Sequence, residues 1–254
     1  MAERRILISL AHPDDESFGS GSLIAKYVNE GSDVYYICGT DGDRGTIPEE
    51  MQGQYDTVRE LRLAELDCAS EILGFKEVFK FHYKDSGMMN SETTKDPDCL
   101  WYHSQQPELF ETLVERIVTV IREIQPQVIL TFDPYGGYGH PDHIAMHHAT
   151  VKAFDAAADP DYLPGTLPPY RAQKLYYTAL PAGALRLMLF VTRLRGKDPR
   201  KMGTNEDIDF QAIVDHILPG HTRIDVRDYM EIGDRANICH ASQGGGRSFG
   251  NFPG

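Results

Sequence analysis

Short apolar runs alternate along the chain with longer amphipathic stretches. Arg5 to Ala11 (RILISLA) is almost continuously apolar, which predicts a strand buried on both faces. Polar His12-Pro13-Asp14-Asp15-Glu16 breaks that run, and a helix is predicted over Ser22 to Asn29 with Gly31 as its stop. Asp33 to Gly39 reads as a second strand, followed by a polar loop to about Asp56. Thr57 to Leu73 reads as a helix: Val58, Leu61, Ala64 and Leu66 recur at helical spacing, and Gly74 follows its end. Glu77 to His82 is a third predicted strand, Tyr83 to Gln106 a long functional loop, and Pro107 to Glu123 a helix with proline in its first turn. A fourth strand is predicted at Gln127 to Asp133, then a Gly/Tyr loop and a helix from Pro141 to about Ala158. Lys174 to Leu180 and Arg223 to Val226 read as further strands, and Asp228 to Ser242 as the last helix.

This alternation predicts an α/β fold: a Rossmann-like, mostly parallel sheet with helices on both faces, built as one domain over residues 1–254. The Pro-rich stretch 160–169 then connects elements within that domain. Ligands of such sheets bind at the carboxyl ends of the strands, so chemistry is expected just after each strand.

Composition narrows the picture. The 254 residues are 41% hydrophobic and 25% charged, which is globular rather than disordered, and the formal net charge is −13. An acidic surface makes nucleic acid a poor partner, and no apolar run approaches the ~20 residues of a membrane helix. The N-terminus leads straight into a strand, which speaks against a signal peptide. Cys38, Cys68, Cys99 and Cys239 lie far apart with no C-x-x-C pair; this predicts neither a thiolate zinc site nor a disulfide framework, and a reduced, cytoplasmic protein. The glycine-rich end, Gly244 to Gly254, reads as a loop, which predicts that the natural chain continues.

Two motifs stand just past predicted strands: Ala11-His12-Pro13-Asp14-Asp15-Glu16 after the first, and Gly139-His140-Pro141-Asp142-His143 after the fourth. Each places imidazole and carboxylate within a few residues. Zinc accepts both donor types, and catalytic sites use three protein ligands with a position left for water. Two His and one Asp from these motifs would supply such a set, which also admits Fe(II) or another divalent ion. A remaining carboxylate would take a proton from water, and a remaining His would stabilise an oxyanion or protonate an amine. One such turn can be a capped helix start; two after two strands of one sheet predict a metal or catalytic site.

AHPDDE with a downstream GHPDH resembles the PIG-L/LmbE-type zinc-dependent deacetylases. Arg62-x-x-Glu65, Leu73-Gly74, Asp85-Ser86-Gly87-Met88, Gly136-Gly137-Tyr138 and His240-Ala241-Ser242-Gln243 agree, so the likeness spans nearly the whole chain, least so at 182–205. The resemblance implies a zinc-dependent N-deacetylase acting on a small N-acetylglucosamine conjugate, with amidase action on a glucosaminyl thiol conjugate as a sibling activity. It implies His12, Asp15 and His143 as metal ligands and Asp14 as general base. His140 would stabilise the intermediate or protonate the amine, Asp142 would orient His140, and Tyr138 would add an oxyanion contact. Arg62, Asp85 and His240 would hold the sugar conjugate.

Other features are read more plainly. Glu16 reads as structural, capping a helix or bonding into a neighbouring loop. His147, four residues past His143, reads as a packed imidazole rather than a ligand. A bimetal phosphoester hydrolase recruiting Asp41 or His147 is the alternative chemistry. No G-x-G-x-x-G follows the first strand and no G-x-S-x-G is present. Leu185 to Met202 interleaves apolar residues with Arg186, Arg193, Arg195, Lys197, Arg200 and Lys201. It reads as a helix packed on the core or on a second copy of the chain, with its basic face solvated.

Overall fold

A computed structural model describes residues 4–165, 167–202 and 208–246. The predicted glycine-rich ending beyond Gly246 and the start of the chain before Arg4 lie outside the described residues, as does part of the 182–205 segment. The elements run β1 (Arg5–Leu10), α1 (Asp15–Phe18), α2 (Gly21–Asn29), β2 (Asp33–Thr40), α3 (Val58–Leu73), β3 (Glu77–Tyr83), α4 (Leu100–Gln105), α5 (Pro107–Ile124) and β4 (Val128–Thr131). There follow α6 (Gly136–Gly139), α7 (Pro141–Ala156), β5 (Lys174–Tyr177), α8 (Ala182–Leu194), α9 (Phe210–His216) and α10 (Met230–Cys239).

The five strands form one parallel sheet in the order β3-β2-β1-β4-β5. The continuous apolar run of the first strand is explained by its place: Leu7, Ile8 and Leu10 sit mid-sheet and are buried. The chain steps outward from β1 to β3, then returns across β1 to β4 and β5. Right-handed crossovers therefore put α2 and α3 on one face and the helices after β3 on the other. α10 packs on α2 and α3, while α5 packs on α4 and α7. The strand order reverses between β1 and β4, and their carboxyl ends open the crevice where such sheets bind ligands.

Three expectations are corrected, and one, the packing of the basic segment, is met only in part within the chain. Arg223 to Val226 is not a strand; the stretch is largely exposed, and Ile224 has no sheet edge to cover. The expected loop 83–106 holds a short helical turn (Glu92–Lys95) and α4, whose six residues are too few to show periodicity. On α8 the apolar face is only partly packed: Leu189 is buried, but Leu187, Phe190 and Leu194 are exposed. Cys68 and Cys239 are joined in a disulfide, because α3 and α10 lie side by side although 171 residues separate the two cysteines. That pair removes the ground on which a reducing compartment was expected; Cys38 and Cys99 are free and buried.

The disulfide closes a long loop, and removing it is expected to cost about 2–5 kcal/mol. The Cys68→Ser/Cys239→Ser variant should unfold at lower urea than the wild-type chain without reductant. Equal midpoints would contradict the pairing.

Candidate active site

The first motif begins where β1 ends. Asp15 starts α1, and its Oδ2 accepts the main-chain N–H of His12 at 2.7 Å and of Ala11 at 3.3 Å, which folds the turn back over the strand end. The second motif opens α7: Pro141 takes the first helical position, where its missing N–H is no loss, and His140 caps the helix by accepting the Asp142 N–H at its Nδ1. Gly136 lets the loop after β4 lie directly against the start of α7. Its φ is +70°, and a Cβ there would stand 2.9 Å from the His143 Cβ.

His12 Nδ1 and His143 Nε2 face each other at 3.1 Å. The Asp15 carboxylate stands 3.4 Å from the first and 3.3 Å from the second. The other nitrogen of each ring is already engaged. His143 Nδ1 lies 3.1 Å from the Gly136 carbonyl, which only a ring N–H can satisfy. His12 Nε2 lies 3.2 Å from Asp142 Oδ2. Each ring thereby turns its remaining nitrogen to the same point, and with the proton there displaced this is the arrangement of metal-binding histidines with a carbonyl or carboxylate behind them. Ligands at about 2.0–2.1 Å on a tetrahedral ion lie roughly 3.3 Å apart, which these separations match. The donor set fits zinc, and N/O donors also suit Fe(II) or another divalent ion.

The electrostatics ask for positive charge at that point. Burial disfavours protonation of His12, but Asp85 and hydrogen bonds to Asp142 and Asp15 hold its pKa well above the usual imidazole value. Burial pushes Asp15 up, yet His143 and His12 hold it well below the carboxylate range. A bound cation would meet the same demand by displacing protons.

Asp14 stands beside this triad in a left-handed conformation, φ 131°, that costs about 1–3 kcal/mol for a non-glycine residue. Burial raises its pKa to about 6, with Arg62 opposing and Asp15 reinforcing. It is thus ionised at neutral pH and well matched to accept a proton. His140 is buried; burial, then the nearby His12 and His143, push its pKa well below the usual value. It is neutral, and because Nδ1 accepts a main-chain N–H, Nε2 carries the proton. Tyr138 is partly exposed and sits edge-on to both His140 and His143, with centroids at 5.8 and 5.0 Å.

Several expected roles fall differently. The Asp142 side chain does not orient His140: it binds His12 Nε2 and the N–H and hydroxyl of Ser86, because position two of α7 points it back beneath the first motif. Arg62 is buried and donates to the Pro13 carbonyl and, at 3.1 Å, to Asp14 Oδ2, so the first motif occupies it. Asp85 is partly buried, 3.7 Å from His12 Nε2. His240 is fully buried and bonds Glu16 Oε1 at 2.7 Å, out of a substrate's reach. His147 bonds the Phe132 carbonyl, and Asp41 is tied to Arg59 and His82, so neither faces the triad. Sequence reasoning gave Ser86 no role, although it stood in a noted motif; it ties Asp142 to the main chain of Trp101.

The family described as GlcNAc-PI de-N-acetylase matches residues 7–154. A 1D-myo-inositol 2-acetamido-2-deoxy-alpha-D-glucopyranoside deacetylase of Thermobispora bispora is 37% identical, over 96% of this chain and 80% of that protein. The protein of the same name from Thermobifida fusca is 38% identical, over 96% and 84%. Among solved structures, an N,N'-diacetylchitobiose deacetylase of Pyrococcus horikoshii aligns with TM-score 0.63 and 22% identity, over 95% of this chain and 71% of that one. The 4-carboxy-2-hydroxymuconate hydratase of Pseudomonas putida aligns with TM-score 0.61 and 20% identity, over 95% and 80%. One fold thus carries two reactions, and the last two likenesses speak for the fold alone.

Alanine at His12, Asp15 or His143 is expected to abolish stoichiometric zinc binding, read by elemental analysis of the dialysed protein, whereas His147→Ala keeps it. Asp142→Asn should weaken the metal by about 10–100-fold. Full occupancy in any of the three alanine variants would contradict the ligand set.

Proposed function

Since the chain belongs to the GlcNAc-PI de-N-acetylase family, we propose that it is a metal-dependent hydrolase that removes the acetyl group from an N-acetylglucosamine conjugate. The observation that carries this reading is the convergence of His12, Asp15 and His143 beside an ionised Asp14 and a neutral His140. The names of the relatives favour an N-acetylglucosaminyl-inositol as the substrate. Zinc is the proposed ion, with Fe(II) or another divalent ion as the alternative.

His12, Asp15 and His143 would hold the ion, which when bound polarises a carbonyl and makes water acidic near neutral pH. Asp14 accepts the proton of the attacking water. Arg62 keeps that carboxylate aimed and, by its charge, limits the rise of its pKa. The neutral His140 donates its Nε2–H to the oxygen that gains negative charge as the tetrahedral centre forms. Tyr138, partly exposed, would add a second donor to the same oxygen. Asp14, now protonated, returns the proton to the departing amine nitrogen, so acetic acid and a free glucosamine amine leave with no net proton on the enzyme, and the two products ionise in water to acetate and ammonium. Asp142 and Ser86 keep His12 in one tautomer throughout.

Zinc-loaded protein is expected to release acetate from N-acetylglucosaminyl-inositol, and chelated protein is not. Asp14→Asn should lower kcat by about 10²–10⁴-fold with zinc content unchanged. A panel with free N-acetylglucosamine, diacetylchitobiose and glucosaminyl thiol conjugates ranks the substrates. If zinc-loaded protein releases acetate from none of them, the reading fails.

A further inference from the structure

Asp14 is the one non-glycine residue of the site held at a strongly positive φ, and its surroundings account for how it stays there. Its main-chain N–H donates to Glu16 Oε2 at 3.0 Å. Glu16 has no exposed surface, and its other oxygen, Oε1, accepts from the Ser17 hydroxyl at 2.6 Å and faces His240 Nε2 at 2.7 Å. His240 is likewise fully buried, so the pair is shielded from solvent and its polar contacts lie within the protein.

His240 is carried by the chain that leaves α10, and that segment is fastened to one face of α3. Cys68 is bonded to Cys239. One turn earlier, Glu65 accepts both the N–H and the hydroxyl of Ser242 at 2.7 Å. A further turn earlier, Arg62 reaches the Pro13 carbonyl and the Asp14 carboxylate. Arg62, Glu65 and Cys68 recur every third residue, so they share a helix face. At the other side of α10, Gly233 allows contact with α2: a Cβ there would lie 2.7 Å from the Ser22 nitrogen. The helix is seated from both sides before it delivers His240.

We propose that residues 239–243 are a positioning element for the catalytic base: His240, anchored to α3, orients Glu16, and Glu16 holds the Asp14 main chain in the left-handed conformation that presents its carboxylate to the reacting centre. This rests on the reading of Asp14 as the base. Glu16 and His240 touch neither substrate nor metal donors in this arrangement; they act through Asp14. The anchoring places part of the active site's precision in a segment more than 220 residues away along the chain, which explains why a buried imidazole there faces a buried carboxylate rather than solvent.

The test compares Glu16→Ala, Glu16→Gln and His240→Ala in the full-length, zinc-loaded protein, with His240→Gln if the alanine variant does not fold. Both alanine variants are expected to keep wild-type zinc content and KM while kcat falls about 10²-fold, the scale of a misplaced catalytic group. Glu16→Gln retains an oxygen for the Asp14 N–H and should recover most of kcat. In an Asp14→Asn background Glu16→Ala should cost nothing further, since the two act as one unit. A crystal structure of Glu16→Ala should show Asp14 relaxed out of positive φ. Wild-type kcat in the alanine variants, additive losses in the Asp14→Asn background, or an unmoved Asp14 each overturn the proposal. Full activity of Asp14→Asn would instead remove the base assignment, and absence of acetate release the function; in either case the Asp14 conformation in Glu16→Ala still decides the positioning role.

Discussion

Two imidazole nitrogens, 131 residues apart in sequence, meet at 3.1 Å in a buried site. Each is pinned from behind, His143 by the Gly136 carbonyl and His12 by Asp142. Two lone pairs at that distance in a buried site repel unless a cation or a proton joins them. The rest of the site follows from meeting that demand: Asp15 supplies negative charge, the other carboxylates raise the affinity for positive charge, and the switch point of the sheet supplies the place where two strand ends approach.

Precision at the centre is maintained by layers behind it. Ser86 holds Asp142, Asp142 holds His12, and Phe132 stacks on His143 with its ring 3.8 Å away. Arg62 and Glu16 grip Asp14 from its side chain and its main chain. These groups come from α1, α3, the loop after β3, the end of β4 and the start of α7, so the site is locked by elements spread along the chain. The hydrophobic core fixes the strands, and buried polar pairs then fix the few side chains that do chemistry. Such networks are costly if half satisfied, and Arg62 Nε and His240 Nδ1 are the atoms of this one left without a hydrogen-bond partner among the described residues.

The sheet was legible because β1, β2 and β4 are apolar runs of a type that a two-sided parallel sheet demands. The two motifs were legible because rare residue types sat at the ends of those runs. What the sequence concealed was pairing across distance. Nothing local marks Cys68 and Cys239 as neighbours, or His240 and Glu16, since both depend on how α10 returns to α2 and α3. Asp142 shows the same limit: spacing placed it next to His140, but its helical position turns it toward His12. Arg223 to Val226 was misread as a strand and α4 was missed because four or six residues carry too little periodicity to separate strand, helix and loop.

The claim on which the account turns is that His12 Nδ1, Asp15 and His143 Nε2 bind one ion. Anomalous diffraction at the zinc edge, from crystals of the zinc-loaded protein, tests it directly. A single peak is expected about 2.0–2.2 Å from those three donors. A peak on the opposite edge of the His12 ring, among Asp85, Asp142 and Nε2, or no peak in the crevice, would contradict it.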